Sequence, residues 1–351
     1  MTTFRKNSLL QLPASLCASV FRWFRIPLLC GLVVLLGGIT APTAGRAQPA
    51  GSYHVVHGWP VLAEGFMLGH VTGVGVDSHN RVFVFHRADH TVLDKMFYSP
   101  VTCATVLVFD GDTGKQVASW GENLFWMPHG LRVDAHDNIW ITDKQMHQVM
   151  KFSNDGKLLM TWGEKGVAGH DGRHFFGPAD VAVDADGSFY VADGYGNNRV
   201  AKFSPQGKFL FDWGRKGDKP GEFNLVHNVV MGPDGHIYVA DRGNSRIQIF
   251  QRDGTFIAQW KRPELGRPWA MAAGSGGYLY VVDGSDTYPW PPDRSHILKL
   301  DFQGNILATW ASYGNYDGQL WWGHDIAVGK DGAVYVGDIL GRRVQKFVPG
   351  E

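Results

Sequence analysis

Residues 181–214 read VAVDADGSFYVADGYGNNRVAKFSPQGKFLFDWG, and this stretch is one copy of a pattern that recurs through the chain. An alternating apolar run ends in Asp and is followed by an Asp-Gly turn, a second run ending in Ala-Asp, a third run, another turn and a last run ending in Trp. Further copies begin at Leu131, Val229, Met271 and Ile326, and a diverged copy begins at Val74 and resumes at Thr105 after an insertion. Six copies of a unit of about fifty residues indicate a fold built from repeated units.

Each copy predicts four short β-strands. Apolar and polar residues alternate with the period of a strand, and the Asp-Gly pairs supply the positive φ that tight hairpins need. Six such sheets define the fold class as all-β, a six-bladed β-propeller. The sixth copy ends at Phe347 without an outer strand, so we expect residues 53–59 to complete that blade and close the ring, which removes an exposed sheet edge. The predicted propeller domain covers residues 51–349.

Residues 1–47 differ in composition from the repeats. Basic residues precede an apolar run over residues 26–40, and small residues follow up to Ala47. This order is typical of a signal peptide and predicts export, to the periplasm or outside the cell. A retained membrane anchor is the alternative, although the apolar run is short for a bilayer span.

Charge and composition exclude several partners. The chain has 351 residues, of which 44% are hydrophobic, and its 33 Lys and Arg are balanced by 33 Asp and Glu. Without excess positive charge, neither nucleic acid nor an anionic membrane surface is expected as a partner. Only Cys103 lies outside the leader, so no internal disulfide is expected. We expect a monomer that has no membrane association once the leader is removed.

Alignment of the six copies places three histidines at one structural position. Five residues before the end of each first strand stand, in order, Thr72, His129, Ala179, His227, Trp269 and His324. The first strand of a blade lines the central channel, so the histidines of the second, fourth and sixth blades converge on the axis. Three imidazoles with a further position open are typical of catalytic zinc, and iron, copper and nickel also accept imidazole. Packing in the core is the alternative for any one of these histidines.

A second alignment position follows the second strand of each copy. It holds Arg87 and Arg242 in the first and fourth blades, which face each other across the ring, and Tyr195 lies next to the equivalent Gly194 in the third blade. Two guanidinium groups and a phenol beside a metal ion suit a substrate that carries a carboxylate. The alternative is that both arginines tie loops together through salt bridges.

The repeats resemble those of NHL propellers, and five motifs are similar to one enzyme family in particular. The motifs are Val-Phe-His-Arg-Ala-Asp-His (84–90), Met-Pro-His-Gly-Leu (127–131), Asp-Gly-Tyr-Gly-Asn-Asn-Arg (193–199), Val-Ala-Asp-Arg (239–242) and His-Asp-Ile (324–326). In order and spacing they resemble peptidyl-α-hydroxyglycine α-amidating lyase, the lyase domain of peptidylglycine α-amidating monooxygenase. The resemblance extends from residue 71 to residue 347.

The resemblance implies two ions and three catalytic residues. Zinc would be bound by His129, His227 and His324, and the catalytic residues would be Arg87, Tyr195 and Arg242. A structural calcium ion in the channel would be bound by Asp325 and the backbone carbonyls of Val74 and Leu131, oxygen ligands that suit a hard cation. The chain departs from the family at Trp322, where the family has methionine, and in the loop over residues 91–104.

The implied reaction splits a peptide ending in α-hydroxyglycine, or a related α-hydroxy amide, into an amide and glyoxylate. The metal ion acts as a Lewis acid on the hydroxyl group, Tyr195 takes up the hydroxyl proton, and Arg87 and Arg242 hold the carboxylate and the developing charge. The expected partner is therefore a small peptide or α-hydroxy amide with a free carboxylate. Two other functions stay open at this point, a noncatalytic NHL-propeller binding platform and a propeller metallohydrolase or lactonase.

Overall fold

The computed structural model describes residues 52–88, 90, 98–274, 276–284 and 294–350. The predicted leader, residues 1–47, and much of the loop after Arg87 lie outside these ranges. In the described ranges no helix is long and apolar enough to cross a bilayer. The helical elements there are two short 3₁₀ turns, Arg242–Asn244 and Pro263–Leu265.

Six four-stranded antiparallel sheets form the blades of a β-propeller, which confirms the predicted fold class. From blade one to blade six the innermost strands are Val71–Val76, Pro128–Val133, Asp180–Val183, Val226–Met231, Pro268–Gly274 and Gly323–Val328. The second strands are Arg81–His86, Ile139–Asp143, Phe189–Asp193, Ile237–Asp241, Tyr278–Asp283 and Val334–Asp338. Each innermost strand packs beside those of the neighbouring blades, and the first contacts the sixth, so the ring is closed.

The outer half of each blade completes the sheet. The third strands are Val106–Asp110, Gln148–Phe152, Arg199–Phe203, Arg246–Phe250, His296–Leu300 and Arg343–Pro349. The outermost strands are Gln116–Trp120, Leu158–Trp162, Phe209–Trp213, Phe256–Trp260, Ile306–Trp310 and, in blade six, Tyr53–Val55. A short parallel pair, Ser312–Tyr313 and Gln319–Leu320, precedes blade six.

The core lies between blades. Both faces of each second strand are covered by neighbouring blades, and all six strands are buried at every residue or at all but the first. Between blades one and six, for example, Val74, Val84 and Leu107 pack with Tyr335 and Val344. Burial of both faces explains why the second strands read as continuous apolar runs, whereas the outermost strands of blades one to five contain no fully buried residue.

A buried acidic residue at the end of the second strand anchors each blade from the second to the sixth. Asp143, Asp193, Asp241, Asp283 and Asp338 accept backbone N–H groups from the segment that leads into their own innermost strand. Three of them pair with the arginine that begins the third strand of their own blade, as Asp193 does with Arg199 at 2.9 Å. In blade one His86 takes this place, and its Nδ1 accepts the N–H groups of Gly69 and Ala88 at 3.0 and 3.1 Å.

The N-terminal strand closes the ring. Tyr53 lies opposite Pro349 and Val55 opposite Phe347, so this strand is the outer strand of blade six, as predicted. It ends at Val55 rather than at residue 59, because the chain turns at Gly58, which has a φ of +73°. The turn places Trp59 between blades one and six.

Candidate active site

The structure brings together the three histidines that the alignment selects. The rings of His129, His227 and His324 lie 4.8 to 4.9 Å apart, centroid to centroid, and each residue is almost fully buried. One nitrogen from each ring lies within 4.8 Å of the others. The innermost strands of alternate blades carry them to the axis, which is the geometric origin of this near-threefold arrangement.

The intervening blades orient these rings. The Nδ1 atom of His129 lies 2.8 Å from the carbonyl oxygen of Ala179, that of His227 lies 2.7 Å from Trp269, and that of His324 lies 2.8 Å from Thr72. The three carbonyls belong to the residues at the same alignment position in blades three, five and one. Because a carbonyl only accepts, each Nδ1 carries the proton, and each Nε2 has a lone pair that can accept a hydrogen bond or bind a metal ion. Such second contacts fix the tautomer that a metal ligand needs.

The electrostatics of this cluster favour neutral imidazoles. Burial is the main cause that holds the pKa of His129, His227 and His324 well below the usual value, and positive charge on neighbouring rings, Arg87 and Arg242 adds to it. The buried Nε2 of His227 has no hydrogen-bond partner among the described residues. Three neutral nitrogen donors around one point fit a divalent metal ion such as zinc.

Four consecutive blades contribute side chains from one position above the histidines. In each of these blades the backbone N–H of one residue donates to the carbonyl oxygen of the residue that lies two before the histidine position. The pairs are Arg87 with His70, Lys144 with Met127, Tyr195 with Gly177, and Arg242 with Leu225. In blade three the equivalent residue is therefore Tyr195 and not Gly194, as the sequence alignment places it. A Cβ on Gly194 would lie 1.8 Å from the carbonyl oxygen of Val226, so glycine is required for this extra residue to fit.

Tyr195 contacts the histidine cluster directly. Its hydroxyl lies 2.8 Å from Nε2 of His129, and since Nδ1 of that ring carries the proton, the phenol donates this bond. Nζ of Lys144 lies over the Tyr195 ring, 3.9 Å from its centroid. A cation over the ring face is attracted to the π-system and also stabilises negative charge on the phenol.

Lys144, which lies over the Tyr195 ring, has two further cations as neighbours, Arg87 and Arg242. Arg87 is buried, its Nε donates to the carbonyl of Pro128 at 2.9 Å, and it forms no ion pair with the described residues. Burial lowers the pKa of Arg87 to about 10, so it stays protonated at neutral pH. Burial, with repulsion from Arg87 and Arg242, lowers the pKa of Lys144 to about 8. This density of positive charge suits an anionic ligand.

An aromatic wall holds Arg242 in place. Its guanidinium carbon lies 3.4 Å from the centroid of the Trp269 ring, which in turn contacts His227 and His324. Trp322, the residue that departs from the family pattern, packs against Trp269 at 5.0 Å. The departure therefore adds an aromatic ring to this wall.

A second polar layer lies one residue further along the innermost strands. Three side chains of this layer each accept a backbone N–H group from the next blade. Asp180 accepts from Val229 at 3.2 Å, Asn228 from Met271 at 3.0 Å, and Asp325 from Val74 at 2.9 Å. Arg132 reaches this layer from blade two, and its Nη1 donates to the carbonyl of Leu131 and to Asp325, both at 2.8 Å. The residues expected to bind calcium are therefore together, but with a guanidinium among them.

This layer separates two cavities. The space between the histidines and Arg132 measures only ≈ 10 Å³, room for about one water molecule. On the other side of Arg132 the channel widens to ≈ 250 Å³ and is lined by the ends of the innermost strands, among them Val76, Val133 and Val328.

Two residues of this site, Lys144 and Arg132, were not predicted from the sequence. Lys144 stands at the alignment position of Arg87 and Arg242, so its charge was the signal that could have selected it. Arg132 is the one charged residue at its position in the six innermost strands, where the other copies have Gly75, Ala182, Val230, Ala272 and Ala327. When one copy carries a charged residue at a position that is small or apolar in the other five innermost strands, a buried partner of opposite charge is indicated.

Comparisons with known proteins identify the repeat and the relatives of this chain. The NHL repeat family model matches residues 125–152, 175–203 and 223–250. The chain is 38% identical over 314 residues to peptidyl-glycine alpha-amidating monooxygenase A of Xenopus laevis, which covers 84% of this chain and 33% of that protein. It is 32% identical over 337 residues to peptidyl-alpha-hydroxyglycine alpha-amidating lyase 2 of Drosophila melanogaster, which covers 88% of this chain and 78% of that protein.

A solved structure with low sequence similarity shares the fold. A gluconolactonase from Xanthomonas campestris superposes with a TM-score of 0.57 at 15% identity, covering 87% of this chain and 100% of that one. Fold and repeats together define an NHL-type β-propeller. Within that class, the chain belongs to the peptidyl-α-hydroxyglycine α-amidating lyase family. It spans about a third of the length of the amidating monooxygenases that it matches.

Proposed function

We propose that this protein is a metal-dependent lyase that cleaves a peptidyl-α-hydroxyglycine, or a related α-hydroxy amide, to an amide and glyoxylate. The observation that carries the proposal is the contact between the Tyr195 hydroxyl and Nε2 of His129, which puts a candidate proton acceptor at the edge of a three-histidine cluster. His129, His227 and His324 would hold the ion through their Nε2 atoms. A divalent ion bound there supplies Lewis acidity toward a neighbouring hydroxyl group.

The positive charge above the histidines supports recognition of the glyoxylate carboxylate. Arg87 forms no ion pair with the described residues, and its guanidinium can form a forked pair with a carboxylate. Arg242, held flat on Trp269, faces the cluster from the fourth blade, opposite Arg87. Lys144 adds a third positive charge between them.

Tyr195 is suited to carry the proton that the reaction moves. The α-hydroxyl loses a proton as its oxygen becomes the aldehyde, and the amide nitrogen gains one as the C–N bond breaks. Lys144 over the ring and Arg87 nearby favour the phenolate, the form that accepts a proton. The proton taken from the hydroxyl can then return to the nitrogen, so the reaction needs no other acid.

Export and the choice of substrate belong to the same proposal. The leader over residues 1–47 favours an exported protein, and export suits a substrate that is itself a secreted peptide. The cations of the site support a substrate that carries a carboxylate next to an α-hydroxyl group.

The test is metal content and glyoxylate release measured on the same purified protein. The wild type should contain one equivalent of a divalent metal ion, zinc above all, and release glyoxylate from an N-acyl α-hydroxyglycine. Changing His227→Ala should remove the metal and reduce turnover to background while the blades stay folded. His236→Ala, an exposed histidine of the same blade, is the matched control and should change neither quantity.

Different results would select another function. A wild type with bound metal but no glyoxylate release would leave a propeller metallohydrolase or lactonase as the better account. A wild type that binds no metal would favour a binding platform.

A further inference from the structure

Arg132 lies in the channel between two buried carboxylates from different blades. Its Nη1 and Nη2 atoms contact the two oxygens of Asp325, both at 2.8 Å. Nη2 also donates to Asp180 at 3.1 Å, and Nη1 to the carbonyl of Leu131 at 2.8 Å. Blades two, three and six are thus connected through one guanidinium at the axis.

These contacts occupy the groups that a calcium ion would need. Calcium takes six to eight oxygen ligands, but here Asp325 and the carbonyl of Leu131 already accept hydrogen bonds from Arg132. Asp325 also accepts the N–H group of Val74, at 2.9 Å. A calcium ion does not fit beside a buried guanidinium that lies against the same oxygens.

We propose that the guanidinium of Arg132 replaces the structural calcium ion of the channel, so that this protein carries its own permanent cation and needs no calcium to fold. The inference does not depend on the proposed lyase activity.

The charges of the cluster explain why a cation is required at this place. The pKa of Asp180 is raised to about 7, mainly by burial and also by the negative charge of Asp325, while Arg132 opposes both effects. The two carboxylates hold the pKa of Arg132 above its usual value. Removal of the guanidinium would leave two buried carboxylates with no counterion, which is unfavourable.

The first test uses the wild-type protein. After treatment with a chelator, its thermal midpoint should be the same in EGTA and in millimolar calcium, and elemental analysis should find no calcium at the level of one ion per chain. One bound calcium per chain, or a midpoint that rises by several degrees with calcium, would overturn the proposal. This test needs no variant.

The second test uses Arg132→Ser. In EGTA this variant should unfold at a lower temperature than the wild type, and added calcium should restore part of the loss because Asp180, Asp325 and the Leu131 carbonyl become free to bind it. Refolding in calcium provides the sample if the metal-free variant does not fold.

Matched controls separate a cation site from an ordinary ion pair. Arg252→Ser breaks the partly exposed pair with Asp184 and should show no calcium response. The double variant Arg132→Ser/Asp325→Asn should lose the calcium response of the single variant. An Arg132→Ser protein that is destabilised but indifferent to calcium would overturn the proposed replacement.

Discussion

Lys144 gives the site a cation that can lose its charge near neutral pH. Burial and repulsion by two arginines lower its pKa to about 8, so it is protonated below that pH and neutral above it. If it helps to bind a carboxylate, kcat/KM for glyoxylate release should fall as pH rises through about 8. In Lys144→Met, kcat/KM at pH 7 should be about tenfold lower, which corresponds to ~1.4 kcal/mol, and the alkaline decline should be missing.

Lys165→Met is the matched control for this prediction. Lys165 also lies over an aromatic ring, 5.0 Å from the centroid of Trp126, but is exposed. Its removal should leave the pH profile unchanged. An alkaline decline that persists in Lys144→Met would assign the titration to another group.

His86 makes the stability of blade one depend on pH. Two backbone N–H groups donate to its Nδ1, so protonation would break both bonds, and burial lowers its pKa to about 4. In the unfolded chain the imidazole takes up its proton near pH 6.5, so stability is complete above that pH and is lost as pH falls toward 4. Between pH 7 and pH 5 this linkage costs about 2 kcal/mol.

The measurement is urea denaturation of wild type and His86→Asn at both pH values. The amide oxygen of asparagine can accept the same two N–H groups without titrating, so the wild type should lose about 2 kcal/mol more than the variant between pH 7 and pH 5. His236→Asn, an exposed substitution, should behave as the wild type. Equal losses in wild type and His86→Asn would contradict the role of His86.

At the scale of single residues, the sequence predicted what a fixed alignment position can show. The three histidines could be identified because they occupy the same alignment position in every second blade. Arg87 and Arg242 could be identified because they share a second alignment position. Arg132 could not be assigned a partner, since Asp180 and Asp325 are separated from it by 48 and 193 residues and meet it only when the ring closes. The offset of Tyr195 by one residue depends on the close approach of Gly194 to the next blade, which no pattern in the sequence encodes.

The N-terminal strand is the element on which closure depends. Tyr53 stacks on Trp310 of blade five at 4.2 Å, and its hydroxyl lies 3.0 Å from that of Tyr280. A chain that begins at Val56 should therefore be several kcal/mol less stable in urea denaturation than a chain that begins at Gly51, because it loses this packing and exposes the edge of Arg343–Pro349.

Point variants separate side-chain packing from strand pairing. Tyr53→Ala should cost ~3 kcal/mol through the lost aromatic contacts, while His54→Ala, exposed on the same strand, should be close to neutral. A chain starting at Val56 that is as stable as the longer one would show that the ring is closed by other contacts.

Strands and turns of the repeats were predictable because each has a local cause. Alternation marks the outermost strands, and Gly187 and Gly207, both at positive φ, mark the turns on either side of the second and third strands of blade three. The early end of the N-terminal strand was not predictable in this way, because Trp59 leaves the strand to pack with Phe109 and Tyr335, contacts that exist only in the closed ring.

At the scale of the whole molecule, six copies in sequence define the number of blades, and the missing outer strand in the last copy defines where the ring joins. The two ends of the propeller accordingly lie side by side, with the N–H of Gly350 donating to the carbonyl of Ser52. The number of blades follows from the repeat count, but the depth of the channel does not. That depth depends on which side chains meet at the axis, and here Arg132 and its carboxylates decide it.

The layer around Arg132 closes the central channel below the histidines, so the channel is open to them from one end only. The space below the histidines measures ≈ 10 Å³ and holds about one water molecule, so a substrate cannot reach the histidines through the wide lower cavity. Whatever reaches the histidines arrives from the rim where Arg87, Lys144, Tyr195 and Arg242 stand, and departs past the same four side chains. The substrate and both products of the proposed reaction would therefore share one passage, and the product whose carboxylate binds among the cations would be the last to leave.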